Sequence, residues 1–150
     1  MPKKKKQEVI SEFRGKYYFL SNFYACDLLW EGQVWKTTEH VFQAMKTDSK
    51  SDREIIRKAP SPGVAKRLGR KVQLREDWEE EKDEVMYQIV LQKFKQNKDL
   101  RKALIATGDA LLIEGNTWGD FYWGMCRGEG QNKLGHILMR VRKEVKDAGR

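Results

Sequence analysis

The residues of this chain best equipped for chemistry fall in two stretches. The first runs Thr37-Thr38-Glu39-His40-Val41-Phe42-Gln43-Ala44-Met45-Lys46. Two threonines can cap a helix there, and no Gly or Pro interrupts it. At about 100° per residue, Glu39, Gln43 and Lys46 share a narrow arc, while Val41, Phe42, Ala44 and Met45 take most of the other side. A carboxylate, an amide and an amine therefore stand in a row. A carboxylate can move protons or stabilise a cation, and an amine can act as a nucleophile. The same row also suits a solvated face, since Glu early and Lys late complement the helix dipole. Exposure separates the two readings: a site requires this face to be withdrawn from open water.

The second stretch, Glu114 to Gly124, sets Trp118, Phe121, Tyr122 and Trp123 beside Glu114 and Asp120 in a loop context. Aromatics beside carboxylates are what a nucleobase pocket needs, since stacking contributes ~1–3 kcal/mol per base. The plainer reading is an aromatic cluster that pins a long loop. Gly130-Gln131-Asn132 then leads into a helix, and such an approach can offer N–H groups to an anion; an ordinary helix start explains it equally. Asn22, between Leu20 and Phe23, is a further polar candidate or a turn-forming Asn. Together these features fit a base, a ribose and a phosphate, without a metal. For such a ligand the chemistry is attack at the anomeric carbon through an oxocarbenium-like transition state, with Glu39 and either Asp120 or Glu114 as acids.

Other chemistries lack their residues. There is no phosphate loop, no GxGxxG after a strand and no Ser in a nucleophile elbow. Cys26 and Cys126 stand far apart and read as reduced, packed thiols. With His40 and His136 they form no metal set, so neither metal nor cofactor is expected, and both histidines are more readily structural than catalytic. No apolar run reaches membrane length and no signal peptide follows the first lysines, so a cytoplasmic protein is expected. The net charge is +8, and Lys3–Lys6 supply half of it. That run reads as a solvated tail with a sequence-independent attraction to nucleic acid.

The elements that must position these residues follow from periodicity and punctuation. Residues 1–12 read as a flexible basic tail and 13–150 as one domain. Lys16–Leu20 has strand composition. Phe23–Trp30 and Val34–Lys36 read as a hairpin turning at Glu31-Gly32-Gln33. After the Thr37–Lys46 helix, Ser51 is expected to cap a helix to about Arg57 with Glu54 three residues on. Ser61-Pro62 begins another, which Gly69 ends. Glu76–Gln96 is the longest periodic segment, carrying Trp78, Val85, Met86, Ile89, Val90 and Phe94. Asp99–Ala106 reads as a helix, Ala110–Ile113 as a buried strand, and Lys133–Lys146 as a final amphipathic helix. The strands do not alternate with helices in a βαβ rhythm. The fold class is therefore α+β, a helix-dominated single domain with a few short antiparallel strands.

With these blocks in view, the chain resembles the NADAR superfamily. The resemblance rests on Phe19-Leu20-Ser21-Asn22-Phe23, Trp35–Lys46 with its Glu39-His40 and Gln43-x-x-Lys46, Leu68-Gly69-Arg70, Trp78, and Lys93-Phe94. It continues through Thr107-Gly108, Glu114, Asp120 with Trp123-Gly124, and Gly130-x-Asn132-x-Leu134-Gly135-x-x-Leu138-Met139. The blocks run in order over nearly the whole chain. Tyr24-Ala25 and Val41 depart from the usual pattern, and neither touches the polar row. The resemblance implies an N-glycosidase acting on a ribosyl N-glycosidic bond without metal. One branch of the family clears reactive phosphorylated intermediates of riboflavin biosynthesis. Another removes ADP-ribose from guanine in nucleic acid, with a lysine thought to form a Schiff base with the opened ribose. By motif that lysine is Lys46 and its carboxylate partner Glu39, with Asp120 as a further catalytic acid. Asn22, Phe23, His40, Gln43, Trp118, Tyr122, Trp123, Gly124 and Asn132 would bind the ribosylated base. The positive charge tilts the expectation toward ADP-ribose on guanine in nucleic acid. A non-catalytic module for ADP-ribose or NAD derivatives is the rival class, and it predicts binding that survives Glu39→Gln. A nucleic-acid-binding protein using the tail is a third, and it predicts steep salt dependence lost with residues 1–8.

Overall fold

The computed structural model describes residues 6–149, so Lys3–Lys5 of the basic run lie outside the described residues. The chain forms two compact units, one of Asn22–Lys98 and one of the segments up to Ser21 and from Asp99 onward.

The Asn22–Lys98 unit begins with a hairpin of β2 (Leu28–Trp30) and β3 (Gln33–Trp35), antiparallel with Leu28 opposite Trp35. Glu31 and Gly32 have φ of 49° and 77°. This is the two-residue turn whose twist matches antiparallel strands, so Gln33 belongs to the strand rather than to the turn. Four helices follow: α1 (Thr38–Met45), α2 (Lys50–Arg57), α3 (Pro62–Gly69) and α4 (Trp78–Gln96). Ser49, not Ser51, caps α2, its hydroxyl accepting from the Asp52 amide at 3.2 Å. Ser61 caps α3 and Pro62 opens it, as the sequence predicts. α1 packs on α2, α3 and α4. The long α4 buries Trp78, Met86, Ile89, Val90 and Phe94. At its start Trp78 meets Phe42 of α1, with ring centroids 5.2 Å apart.

The unit of the chain ends holds β1 (Val9–Ile10), a 3-10 helix (Gly15–Leu20), α5 (Lys98–Ala106), β4 (Leu111–Leu112), β5 (Gly115–Asn116), β6 (Met125–Cys126) and α6 (Lys133–Ala148). Three expectations are corrected here. The flexible tail does not extend to residue 12: β1 pairs in parallel with β4, and Ile10 is buried. Lys16–Leu20 is not a strand. Gly15 turns the chain at φ 57°, and the aromatics follow in i→i+3 turns; strand composition counts only where a partner edge exists. Finally, among the strand pairs of the described residues β2–β3 is antiparallel, while β1–β4 and β5–β6 are parallel. α6 lays Leu134, Leu138, Val141 and Val145 into the core against β4. Its buried Arg142 donates to Ala110 O at 2.9 Å and Thr107 Oγ1 at 3.0 Å, tying down the chain just beyond α5. Among the described residues no helix is long and apolar enough to cross a membrane. The helix-rich α+β class stands.

Candidate active site

Every residue of α1 is buried, polar ones included. The helix is anchored at its start. Thr37 accepts the His40 amide at 3.1 Å. Asn22 O accepts the Glu39 amide at 3.1 Å and the Thr38 hydroxyl at 3.1 Å. Asn22 Oδ1 takes the same hydroxyl at 2.9 Å, and Nδ2 reaches Met86 Sδ on α4 at 3.4 Å. Asn22, expected as a substrate ligand, therefore fixes where α1 begins. His40 is also committed. Its Nε2 lies 3.0 Å from Ala59 O and its Nδ1 2.7 Å from Thr37 Oγ1. A carbonyl can only accept, so Nε2 carries the proton and Nδ1 accepts from Thr37. Burial, the largest influence, pushes the ring's pKa below its usual range, consistent with this neutral tautomer. Phe23 and His40 border a cavity of about 410 Å³ with Cys26, Lys36, Thr37 and Pro60.

The polar row behaves differently. Glu39 is 7% exposed and Gln43 3%, so this face is not solvated. Gln43 Nε2 donates to Glu39 Oε1 at 2.7 Å. The other end of the amide, Oε1, is buried with no hydrogen-bond partner, an arrangement native proteins seldom keep without a reason. Lys46 sits at the end of α1, half-buried, its Nζ 5.9 Å from the centre of the Phe42 ring. Burial lowers its pKa. The Glu39 charge works against that, and Arg70, Lys66 and Lys82 reinforce it. An amine beside other cations in an apolar setting is the arrangement that makes lysine nucleophilic near neutral pH. The same cations suit a phosphorylated ligand.

The aromatic loop of the other unit is spent largely on itself. Asp120 Oδ1 accepts the amides of Tyr122 at 3.1 Å and Trp123 at 2.9 Å. The Asn116 side chain brackets Asp120, accepting its amide at 3.0 Å and donating to its carbonyl at 2.9 Å. Tyr122 and Trp123 pack edge to face, centroids 4.8 Å apart, with Lys133 Nζ 4.9 Å from the centre of the Tyr122 ring. Trp118 is 57% exposed. Gly124 is buried with Glu114 O where a side chain would begin. Of the two readings of the start of α6, the ordinary helix start fits the hydrogen bonds. The amides of Asn132, Lys133 and Leu134 donate to the carbonyls of Gly124, Tyr122 and Trp123. Asn132, at φ 49°, accepts from the Glu114 amide at 3.0 Å and donates to Leu112 O at 2.9 Å. It locks the loop.

Two features escaped the sequence reading. The cations around Lys46 come from α3 and α4, so no local spacing reveals them. Lys93 is 1% exposed, its Nζ 5.6 Å from the Tyr24 ring centre and 5.3 Å from that of Phe94. It lies on the apolar face of α4, at a helical repeat from Met86 and Ile89, and that position in the periodicity was the available signal.

The NADAR domain family matches residues 8–146. The N-glycosidase YbiA of Escherichia coli (strain K12) is 42% identical over 132 residues, 86% of this chain and 82% of that protein. An N-glycosidase of Nostoc punctiforme is 39% identical over 137 residues, covering 87% of each. A riboflavin biosynthesis protein of Vibrio vulnificus is 42% identical over 132 residues, 86% of this chain and 36% of that longer protein. The NMR structure of the Escherichia coli YbiA protein superposes with a TM-score of 0.86 at 39% identity, covering 96% of this chain and 89% of that one. With its ordered motifs and its fold in agreement over nearly its whole length, the chain belongs to the NADAR family and is an N-glycosidase.

Proposed function

We propose that this enzyme hydrolyses the N-glycosidic bond of a phosphorylated ribosyl compound, with Glu39 and Lys46 as its reacting groups. The observation that carries this reading is a buried carboxylate, held by an amide, on the same short helix as an amine whose charged form is disfavoured. The neutral Lys46 nitrogen attacks C1′ of the ribose. The C1′–N bond to the base breaks, and its electron pair goes to the base nitrogen. Glu39 takes the proton shed by the adding amine and delivers it to that leaving nitrogen. Ring opening leaves an imine between Lys46 and C1′. Water hydrolyses the imine, returning the amine and releasing the ribosyl phosphate. The sum consumes one water and needs no redox partner. Positive charge building at C1′ is stabilised by the Glu39 carboxylate in a site shielded from water. Asn22 and Thr37 set the start of the helix and hence the placement of both groups.

Two substrates fit this chemistry. The names of relatives in Vibrio vulnificus and Zea mays, both riboflavin biosynthesis proteins, favour an early aminouracil ribosyl phosphate of that pathway. The net charge of +8 favours ADP-ribose on guanine in nucleic acid, with Lys3–Lys6 adding attraction to the polyanion. Lys66, Arg70 and Lys82 suit the phosphates of either. The test is base release from aminouracil ribosyl phosphate, ADP-ribosylated guanine DNA and NAD, combined with borohydride trapping. Release from one substrate, with a trapped adduct on Lys46, is expected. No release from any of them overturns the reading, and an adduct on another lysine overturns the role of Lys46.

A further inference from the structure

We infer that Gly69 is a positioning residue for the reaction, acting through Gln43 on Glu39; this rests on the function proposed above. Gly69 is the last residue of α3 and is buried. Its φ is not in the left-handed region, so the backbone does not require glycine there. In helical geometry glycine is a cost, since alanine would stabilise α3. The reason for glycine is space. A methyl group on Gly69 would lie 2.8 Å from Gln43 Cδ and 3.0 Å from Gln43 Cβ, and would overlap Oε1 outright.

This contact accounts for the buried amide. Gln43 has two ends: Nε2 donates to Glu39 Oε1 at 2.7 Å, and Oε1 lacks a conventional partner. The hydrogen that a methyl would replace on Gly69 points at Oε1, which makes a weak Cα–H···O contact. Gly69 thus receives the carbonyl end and leaves the NH₂ end turned to the carboxylate. With a methyl in that place the carboxamide must swing away, and Glu39 loses the hydrogen bond that Gln43 donates to it. A displacement of ~1 Å at a reacting group can lower a rate about 10²-fold.

The test is a double-mutant cycle of Gly69→Ala and Gln43→Ala, read as kcat and KM on whichever substrate the wild type cleaves. Gly69→Ala is expected to lower kcat by ~10–100-fold and change KM by less than about threefold. Added to Gln43→Ala, which removes the clashing amide, it is expected to change kcat by less than about twofold. That background loses the overlap with the amide and keeps only the 3.0 Å approach to the residue-43 Cβ, so the comparison stands even if the single variant unfolds. Gln43→Met, which keeps the length and loses the donor, should lower kcat with Gly69 intact. A wild-type kcat in Gly69→Ala overturns the inference, as does an equal loss in both backgrounds. A wild type that releases no base from any substrate defeats the proposed function instead, so the two failures are distinguishable.

Discussion

α1 and the loop from Glu114 to Asn132 look alike as sequence: each mixes carboxylates, amides and large aromatics. They differ in what their polar atoms are doing. In the loop, the groups that invited a catalytic reading hold the loop together. Asp120 binds the amides of Tyr122 and Trp123, Asn132 bridges Glu114 and Leu112, and the start of α6 is filled by loop carbonyls. In α1, Asn22, Thr37, Thr38 and His40 do that work at the start of the helix. Glu39 is held at one oxygen by Gln43, and Lys46 is an amine that burial pushes toward neutrality. Polar content marks both regions as candidates; what the polar atoms bind is the difference between them.

The strongest test of this contrast is Glu39→Gln. It should lower kcat by ~10³-fold or more while leaving ligand binding and thermal stability near wild type. Retained turnover would put α1 on the scaffold side with the loop. Lys46→Met should cost ~10²–10³-fold in kcat, and Lys46→Arg should not rescue it, because a guanidinium cannot deprotonate. The pH profile gives an independent check. The reactive form of Lys46 is neutral, so kcat/KM should rise with pH and level off below the ordinary lysine value near 10.5. A profile that falls over that range would contradict an amine nucleophile.

Lys93 sharpens the comparison from within the core. Burial pushes its pKa down to about 8 from an ordinary value of 10.5. Between those values the unfolded chain binds the extra proton, so stability rises with pH across that window and the penalty is fully present below about 8. Lys93→Met should therefore stabilise the fold at pH 7 by roughly 3 kcal/mol, an advantage that fades toward pH 10. Denaturant unfolding at several pH values reads this directly; equal stabilisation at all pH values would mean that the charge is not the cause. The smallest effect belongs to the loop. Asp120→Ala should cost about 1 kcal/mol of stability by orphaning two amides, whereas Asp120→Asn, which keeps an acceptor, should stay near wild type in both stability and kcat. If Asp120→Asn abolished turnover, the loop would carry chemistry after all.

Local rules made much of this legible. Thr37 before α1, Ser61-Pro62 before α3 and Glu31-Gly32 in the hairpin each carry a mechanism that needs no distant partner. What failed needed one. Val9–Ile10 becomes a strand only because Leu111–Leu112 offers an edge. Ser49 displaced Ser51 as a cap, a choice of two residues that composition does not resolve. The burial of Glu39 and Gln43 decided whether their row was a site or a solvated face, and burial comes from α2, α3 and α4. Gly69 was visible as a helix end, but its close approach to Gln43 lies between helices.

The pairing of β1 with β4 also sets the order in which the protein can be made. Val9 leaves the ribosome early and meets Leu111 only after all of Asn22–Lys98 has been synthesised. The middle unit is contiguous, so it can fold while the chain is still growing. The unit of the ends has to close a long loop and wait for α6. Its assembly is thus the slow, non-local step, and α1, which carries Glu39 and Lys46, belongs to the part that forms first.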